Sequence, residues 1–135
     1  MRMASVPMKY LAAILVGTLI LALAPGYREA VQAEGKGALA RAVYITASKA
    51  CACTLKRCQA ADAVVAQVFS GARQRFLSRI DMATDEDAAR PYIQKYRVFA
   101  LPALLMLDTQ GKLLWSAQGE LDRDEVAFKL GELGG

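Results

Sequence analysis

All three cysteines of this 135-residue chain lie within eight positions, in the segment KACACTLKRCQ. They are Cys51, Cys53 and Cys58. A cysteine thiolate is the nucleophile of thiol–disulfide exchange, and it is also the preferred ligand of soft metal ions. Clustered thiols in a chain of this length therefore indicate either redox chemistry or soft-metal binding.

Composition excludes several other kinds of function. The chain has no histidine, which rules out a Cys-His nucleophile and any zinc site that uses imidazole. Three basic residues and one acidic residue lie before position 34, so 14 basic and 12 acidic side chains remain beyond it. That balance argues against nucleic acid as a partner, and the length fits one domain.

The first 33 residues are predicted to be a signal peptide or an N-terminal membrane anchor. Arg2 and Lys9 flank 15 uncharged residues, 10–24, which fall short of the roughly 20 that span a bilayer. The tripeptide 31–33, VQA, has small residues at the spacing of a signal-peptidase site. In a bacterial cell this predicts a periplasmic or secreted protein, held at the inner membrane only where the segment stays uncleaved.

The remaining chain is predicted to be a short linker, 34–38, and one domain, 39–135. Its apolar patterns and caps predict the order β-α-β-α-β-β-α. Strands are expected over 39–46, 75–82, 103–108 and 112–117. Helices are expected over 54–70, with Thr54 as cap, and over 122–130. A further helix is expected to begin at 84, and Pro91 inside this helix must shorten, kink or restart it.

Cys51 and Cys53 are predicted to lie in the loop that leads into the first helix. Free amide groups and a partial positive charge at a helix N-terminus stabilise a thiolate. The nearby cations Lys49, Lys56 and Arg57 add positive potential. We therefore expect a lowered thiol pKa and real nucleophilic reactivity at this loop.

Cys58 has two possible roles. It shares a helix face with Ala61 and Val65, so it is either a third reactive thiol or a small buried apolar residue. Five residues of helix rotate by about 500°. Cys53 and Cys58 can therefore meet only if Cys53 lies before or at the helix cap.

The order of elements resembles the thioredoxin fold. The segment RIDMATD is similar to the end of that family's second central strand, and YRVFALPALLMLDTQGKLLWSAQG is similar to its proline-and-hairpin stretch. The resemblance covers about residues 39–132. It implies an α/β thioredoxin-like domain with a central mixed sheet of about four strands flanked by helices. It also implies a cis proline at Pro102, after Leu101, which would face the redox cysteines and contact the substrate.

Two features depart from that family. Its redox motif is usually Cys-x-x-Cys, whereas this chain has CACTLKRC. The buried strand acid that assists proton transfer in the family aligns with Tyr44, which cannot carry that role at neutral pH.

Three hypotheses for the function follow. The first is an exported thiol–disulfide oxidoreductase without a cofactor, which acts on protein thiols and disulfides. Cys51, at the position of the family's first cysteine, would attack, and Cys53 or Cys58 would resolve the mixed disulfide.

The second hypothesis is that Cys51, Cys53 and Cys58 bind a soft metal or metalloid ion such as Cu(I), Hg(II), As(III) or Zn(II). Their spacing resembles that of arsenic metallochaperones.

The third hypothesis is a partner-binding module without catalysis. Redox direction, cysteine pairing and oligomeric state stay open at this level.

Overall fold

The computed structural model of the protein describes residues 37–135, which belong to one compact unit. The predicted signal peptide or anchor, 1–33, lies outside the described residues, as does most of the predicted linker. The strands are β1 (Arg41–Thr46), β2 (Leu77–Asp81), β3 (Ala103–Leu107) and β4 (Leu113–Gln118). The helices are α1 (Ala52–Val68), α2 (Glu86–Tyr96) and α3 (Arg123–Glu132), with a 3-10 helix at Gly71–Phe76.

The four strands form one mixed sheet in the order β2-β1-β3-β4. β1 is parallel to β2 and antiparallel to β3, and β3 and β4 form an antiparallel hairpin. Ile45 is paired with both Ile80 and Ala103. One edge of the sheet therefore contains the end of β1, the end of β2 and the start of β3. This arrangement confirms the predicted architecture, and it places the thiol loop at that edge.

Helices cover both faces of the sheet. Alternate β1 residues such as Tyr44 face α1 and α3, while Val43 and Ile45 face α2. Because both faces are covered, β1 and β3 are almost continuously apolar and buried rather than alternating. Within residues 37–135, no helix has the length and apolar character needed to cross a bilayer.

The first helix begins earlier than predicted. Cys51, with an extended backbone at φ −60° and ψ 154°, is its N-cap, and the helix starts at Ala52 instead of after Thr54. Alanine is the strongest helix former, so the helix extends into the predicted loop. This correction moves Cys53 out of the loop and into the first helical turn.

The start of β2 and the effect of Pro91 also differ from the prediction. β2 begins at Leu77 because the preceding 3-10 helix occupies residues that were assigned to the strand. α2 is continuous across Pro91, and Asp85 caps it by accepting a hydrogen bond from the Ala88 amide. The proline therefore neither ends nor restarts the helix.

Candidate thiol site

Cys51 and Cys53 form an exposed thiol pair at the N-terminus of α1. Their sulfur atoms are 3.1 Å apart, and Cys51 Sγ lies 3.2 Å from Thr54 Oγ1. Both cysteines are exposed and unbonded. The start of the helix thus holds two accessible sulfurs in hydrogen-bond contact, with a hydroxyl beside the first.

These neighbours lower the pKa of the Cys51 thiol. A hydrogen bond from the Thr54 hydroxyl, then one from the Cys53 thiol, lowers the pKa of Cys51 from 9.0 to about 7. The backbone amides of Thr54 and Cys53 lower this pKa by a smaller amount. The Cys51 side chain does not form a capping hydrogen bond to the helix backbone. The thiolate form of Cys51 is therefore more populated at neutral pH than that of an ordinary cysteine.

Cys58 is separated from this pair. Its side chain is 2% exposed, on the face of α1 that packs against the sheet. It lies seven residues beyond Cys51, which corresponds to about 10 Å along a helix axis, whereas disulfide-bonded Cα atoms are about 4.4–6.8 Å apart. Cys53 and Cys58 could meet only if Cys53 lay before or at the helix cap. Because Cys53 lies after the cap, these two thiols do not meet either.

The structure therefore does not bring three thiols together. Within residues 37–135, no group of three or more cysteine, aspartate or glutamate side chains is arranged to hold a metal ion. The physical reason is the early helix start, which directs Cys53 to solvent and Cys58 to the core. A site with three thiolates would require the first turns of α1 to unwind.

Asp81, at the end of β2, holds the loop before the thiol pair. Its carboxylate accepts hydrogen bonds from the amides of Ser48 at 3.0 Å and Ala83 at 2.9 Å. Hydrogen bonds from the side chain and backbone of Ser48 lower the pKa of Asp81, so the carboxylate stays ionised at neutral pH. The loop between β1 and α1 is thereby tied to the neighbouring strand.

The segment before β3 forms another part of this sheet edge. The Leu101–Pro102 peptide bond is cis, and the Pro102 carbonyl accepts a hydrogen bond from the Gly119 amide at 2.8 Å. Pro102 is buried and Leu101 is partly buried against the α2 side of the core. Their predicted contact with a substrate stays a prediction.

A solved structure shares the overall fold of the domain. The chain aligns with the solution structure of an uncharacterised thioredoxin-like protein from Clostridium perfringens at a TM-score of 0.52, with 16% identity, over 76% of this chain and 77% of that one. This protein has a thioredoxin-like fold.

Two further structures align less well with the thioredoxin-like domain. Trxlp from Edwardsiella tarda gives a TM-score of 0.49 with 19% identity over 76% of this chain and 91% of that one. A DsbH oxidoreductase gives 0.44 with 15% identity over 76% and 78%. No protein-family model matches the chain, and no curated protein is significantly similar to it.

Tyr44 sits beneath α1 of the thioredoxin-like domain, where the sequence resemblance would place an acid. Its hydroxyl donates to Asp62 Oδ1 at 2.7 Å and lies 3.3 Å from the Cys58 carbonyl oxygen. Asp62 in turn pairs with Arg79 at 3.1 Å. Burial raises the pKa of Tyr44 well above its usual range, so the phenol stays protonated and joins α1 to the sheet.

Sequence reasoning missed three of these residues. Thr54 is predicted only as a cap. It lies three residues after Cys51, which is the spacing between an N-cap residue and the N3 residue that this cap faces. Asp81 and Asp62 gave no local signal for their tertiary contacts, because Ser48 is 33 residues from Asp81 and Tyr44 is 18 residues from Asp62. Of the three predicted site cysteines, the structure brings Cys51 and Cys53 together and places Cys58 apart from them.

The low pKa of Cys51 predicts a specific pH profile for alkylation. Since the thiolate is the reacting form, the Cys51 rate should rise with pH and reach half of its maximum near pH 7. Thr54→Val removes the hydroxyl and should shift that midpoint upward by about one pH unit, as expected for a hydrogen bond to a charged group. Iodoacetamide labelling with peptide mass spectrometry measures this, and an unshifted midpoint would contradict the role of Thr54.

Proposed function

We propose that the domain carries out thiol–disulfide exchange with protein partners through Cys51 and Cys53. The observation that carries the proposal is the 3.1 Å contact between two exposed sulfurs at a helix N-terminus. The lowered pKa of Cys51 supports its role as the attacking thiolate, because the thiolate is the nucleophile. The thioredoxin-like fold is consistent with partners that present thiols or disulfides.

The reaction balances as two successive exchanges. The Cys51 thiolate attacks one sulfur of a partner disulfide, and the other partner sulfur leaves as a thiolate. Cys53, once deprotonated, then attacks Cys51 Sγ, which releases the second partner thiolate and forms a Cys51–Cys53 disulfide. Two electrons pass from the domain to the partner, and the reverse sequence oxidises a partner dithiol.

Cys53 is the better candidate for the resolving thiol. The two sulfurs are already in contact, and they need to approach from 3.1 Å to about 2.05 Å to form a bond. Cys58 is buried beneath the helix, so it could resolve only after local unwinding. The proposed chemistry therefore uses two of the three thiols.

A trapping experiment tests this assignment. Without a resolving thiol, a Cys53→Ser variant should accumulate a mixed disulfide between Cys51 and a model partner such as an oxidised peptide. Intact-mass measurement after acid quenching detects the adduct, and peptide mapping locates it. Cys58→Ala is the matched control, and it should resolve the adduct as the wild type does.

If Cys58→Ala traps the adduct and Cys53→Ser does not, the assignment of Cys53 is wrong.

The other two hypotheses predict different outcomes. A non-catalytic binding module would retain the partner without forming any adduct. A three-thiolate metal site would bind a thiophilic ion tightly and lose that binding in each single cysteine variant.

A further inference from the structure

An open pocket lies between α1 and the chain that follows β4. Its volume is about 400 Å³. Two cations contributed by α1 face the segment at Glu120 across it. The lining residues are Lys56, Arg57, Ala60, Ala61, Glu120 and Leu121.

This pocket adjoins the exposed thiol. Arg57 is four residues beyond Cys53 on α1, a spacing that places side chains on the same helix face about 5–6 Å apart at Cβ. A Cβ added at Gly119 would lie 3.8 Å from Arg57 Nη1 and 3.8 Å from Ala100 Cβ. Arg57 therefore extends from the Cys53 face of the helix to the segment that carries the cis bond.

Among residues 37–135, the two pocket cations have no ion-pair partner. Arg79 pairs with Asp62 and Arg90 with acids of its own helix. In the described part of the chain, Lys56 and Arg57 make no ion pair and no side-chain hydrogen bond. Both are exposed, and Glu120 is the one acid in the pocket lining. The pocket thus presents an excess of available positive charge.

An exposed aromatic residue, Phe99, directly precedes Ala100, whose Cβ lies close to Gly119. Phe99 is 87% exposed, although its backbone is held by hydrogen bonds from the Phe99 and Ala100 amides to Gln118 Oε1 at 2.9 and 3.4 Å. Aromatic residues such as phenylalanine are enriched at protein–protein interfaces. A polypeptide carries both charged and apolar side chains, so it could contact the cationic pocket and this ring together.

We propose that this surface selects acidic polypeptides, so that the favoured disulfide partners carry aspartate or glutamate close to the reacting cysteine. The inference rests on the proposed exchange function and adds a substrate class to it. Carboxylates of the partner would pair with Lys56 and Arg57 while an apolar partner residue contacts Phe99. Charge complementarity of this kind raises mainly the association rate.

The test compares three synthetic peptide disulfides that differ only beside the cysteine. One carries two glutamates, one carries two glutamines and one carries two lysines. Stopped-flow rates of their reduction by the fully reduced protein should fall in that order. We expect a ratio on the order of tenfold between the acidic and basic peptides at low salt, and a ratio near one at 1 M salt, where screening acts over about 3 Å.

Variants locate the effect in the pocket. Lys56→Gln with Arg57→Gln should reduce the acidic-to-basic ratio toward one, and Glu120→Gln should increase it. Lys112→Gln is the matched control, because Lys112 is exposed at the opposite end of the sheet, in the β3–β4 turn. It removes one positive charge, as each of the two pocket substitutions does, and should leave the ratio unchanged.

Each outcome has a distinct meaning. Equal rates for the three peptides, or an equal change in Lys112→Gln and the pocket variant, would overturn the selection of acidic partners while exchange itself stands. Equal discrimination between small charged disulfides without a peptide would overturn the polypeptide partner. No reduction of the glutamine peptide by the wild type would instead refute the proposed exchange function.

Discussion

Cys51→Ser is expected to reduce the rate of disulfide exchange by roughly 1,000-fold, as loss of an essential nucleophile does. The hydroxyl of serine is not ionised at neutral pH, so neither the Thr54 hydroxyl nor the helix N-terminus can generate an attacking anion there. Cys53 remains exposed in this variant, but it lacks the contact with Thr54 that Cys51 makes. Insulin reduction and refolding of a scrambled disulfide protein measure the loss.

Cys58→Ala is the control for this prediction. Its thiol is buried and outside the pair, so exchange should stay within a few-fold of the wild type once the variant is shown to be folded. Equal loss in Cys51→Ser and Cys58→Ala would place the reactive sulfur elsewhere. A fully active Cys51→Ser variant would remove Cys51 as the nucleophile.

Tyr44→Ala is expected to lower the free energy of unfolding by about 3–5 kcal/mol, as other buried aromatic truncations do. Tyr44 is fully buried in the core between the sheet and α1, so its removal leaves a large cavity. Asp62 also loses the phenol hydroxyl that lies 2.7 Å away. Because a domain of this size has only about 5–15 kcal/mol in total, the variant should be marginally folded.

Tyr44→Phe separates the two contributions. It keeps the ring and removes only the hydroxyl, and Asp62 retains Arg79 as a partner, so the expected cost is about 1 kcal/mol. Urea denaturation followed by circular dichroism measures both variants. A cost for Tyr44→Phe as large as that for Tyr44→Ala would show that the hydroxyl, not the packing of the ring, dominates.

Much of the fold could be predicted from local patterns. The apolar strands, the cap at Asp122, which accepts a hydrogen bond from the Glu125 amide, and the turn at Asp108 are short-range features, and the structure places them close to the expected positions. The thiol pair is equally local, since Cys51 and Cys53 are two residues apart. The N-cap of α1 lies three residues before the predicted one, because cap geometry depends on backbone angles that composition does not specify.

Residue types and short spacings were enough to indicate a β-α-β-α-β-β-α domain with reactive sulfur at a helix N-terminus, because helix periodicity and capping act over a few positions. Only the tertiary structure separates Cys58 from the exposed pair, since that depends on which face of α1 packs against the sheet. It alone also brings Arg57 to Gly119 and Tyr44 to Asp62. Those contacts join distant parts of the chain, and burial of the shared core, not local preference, determines them.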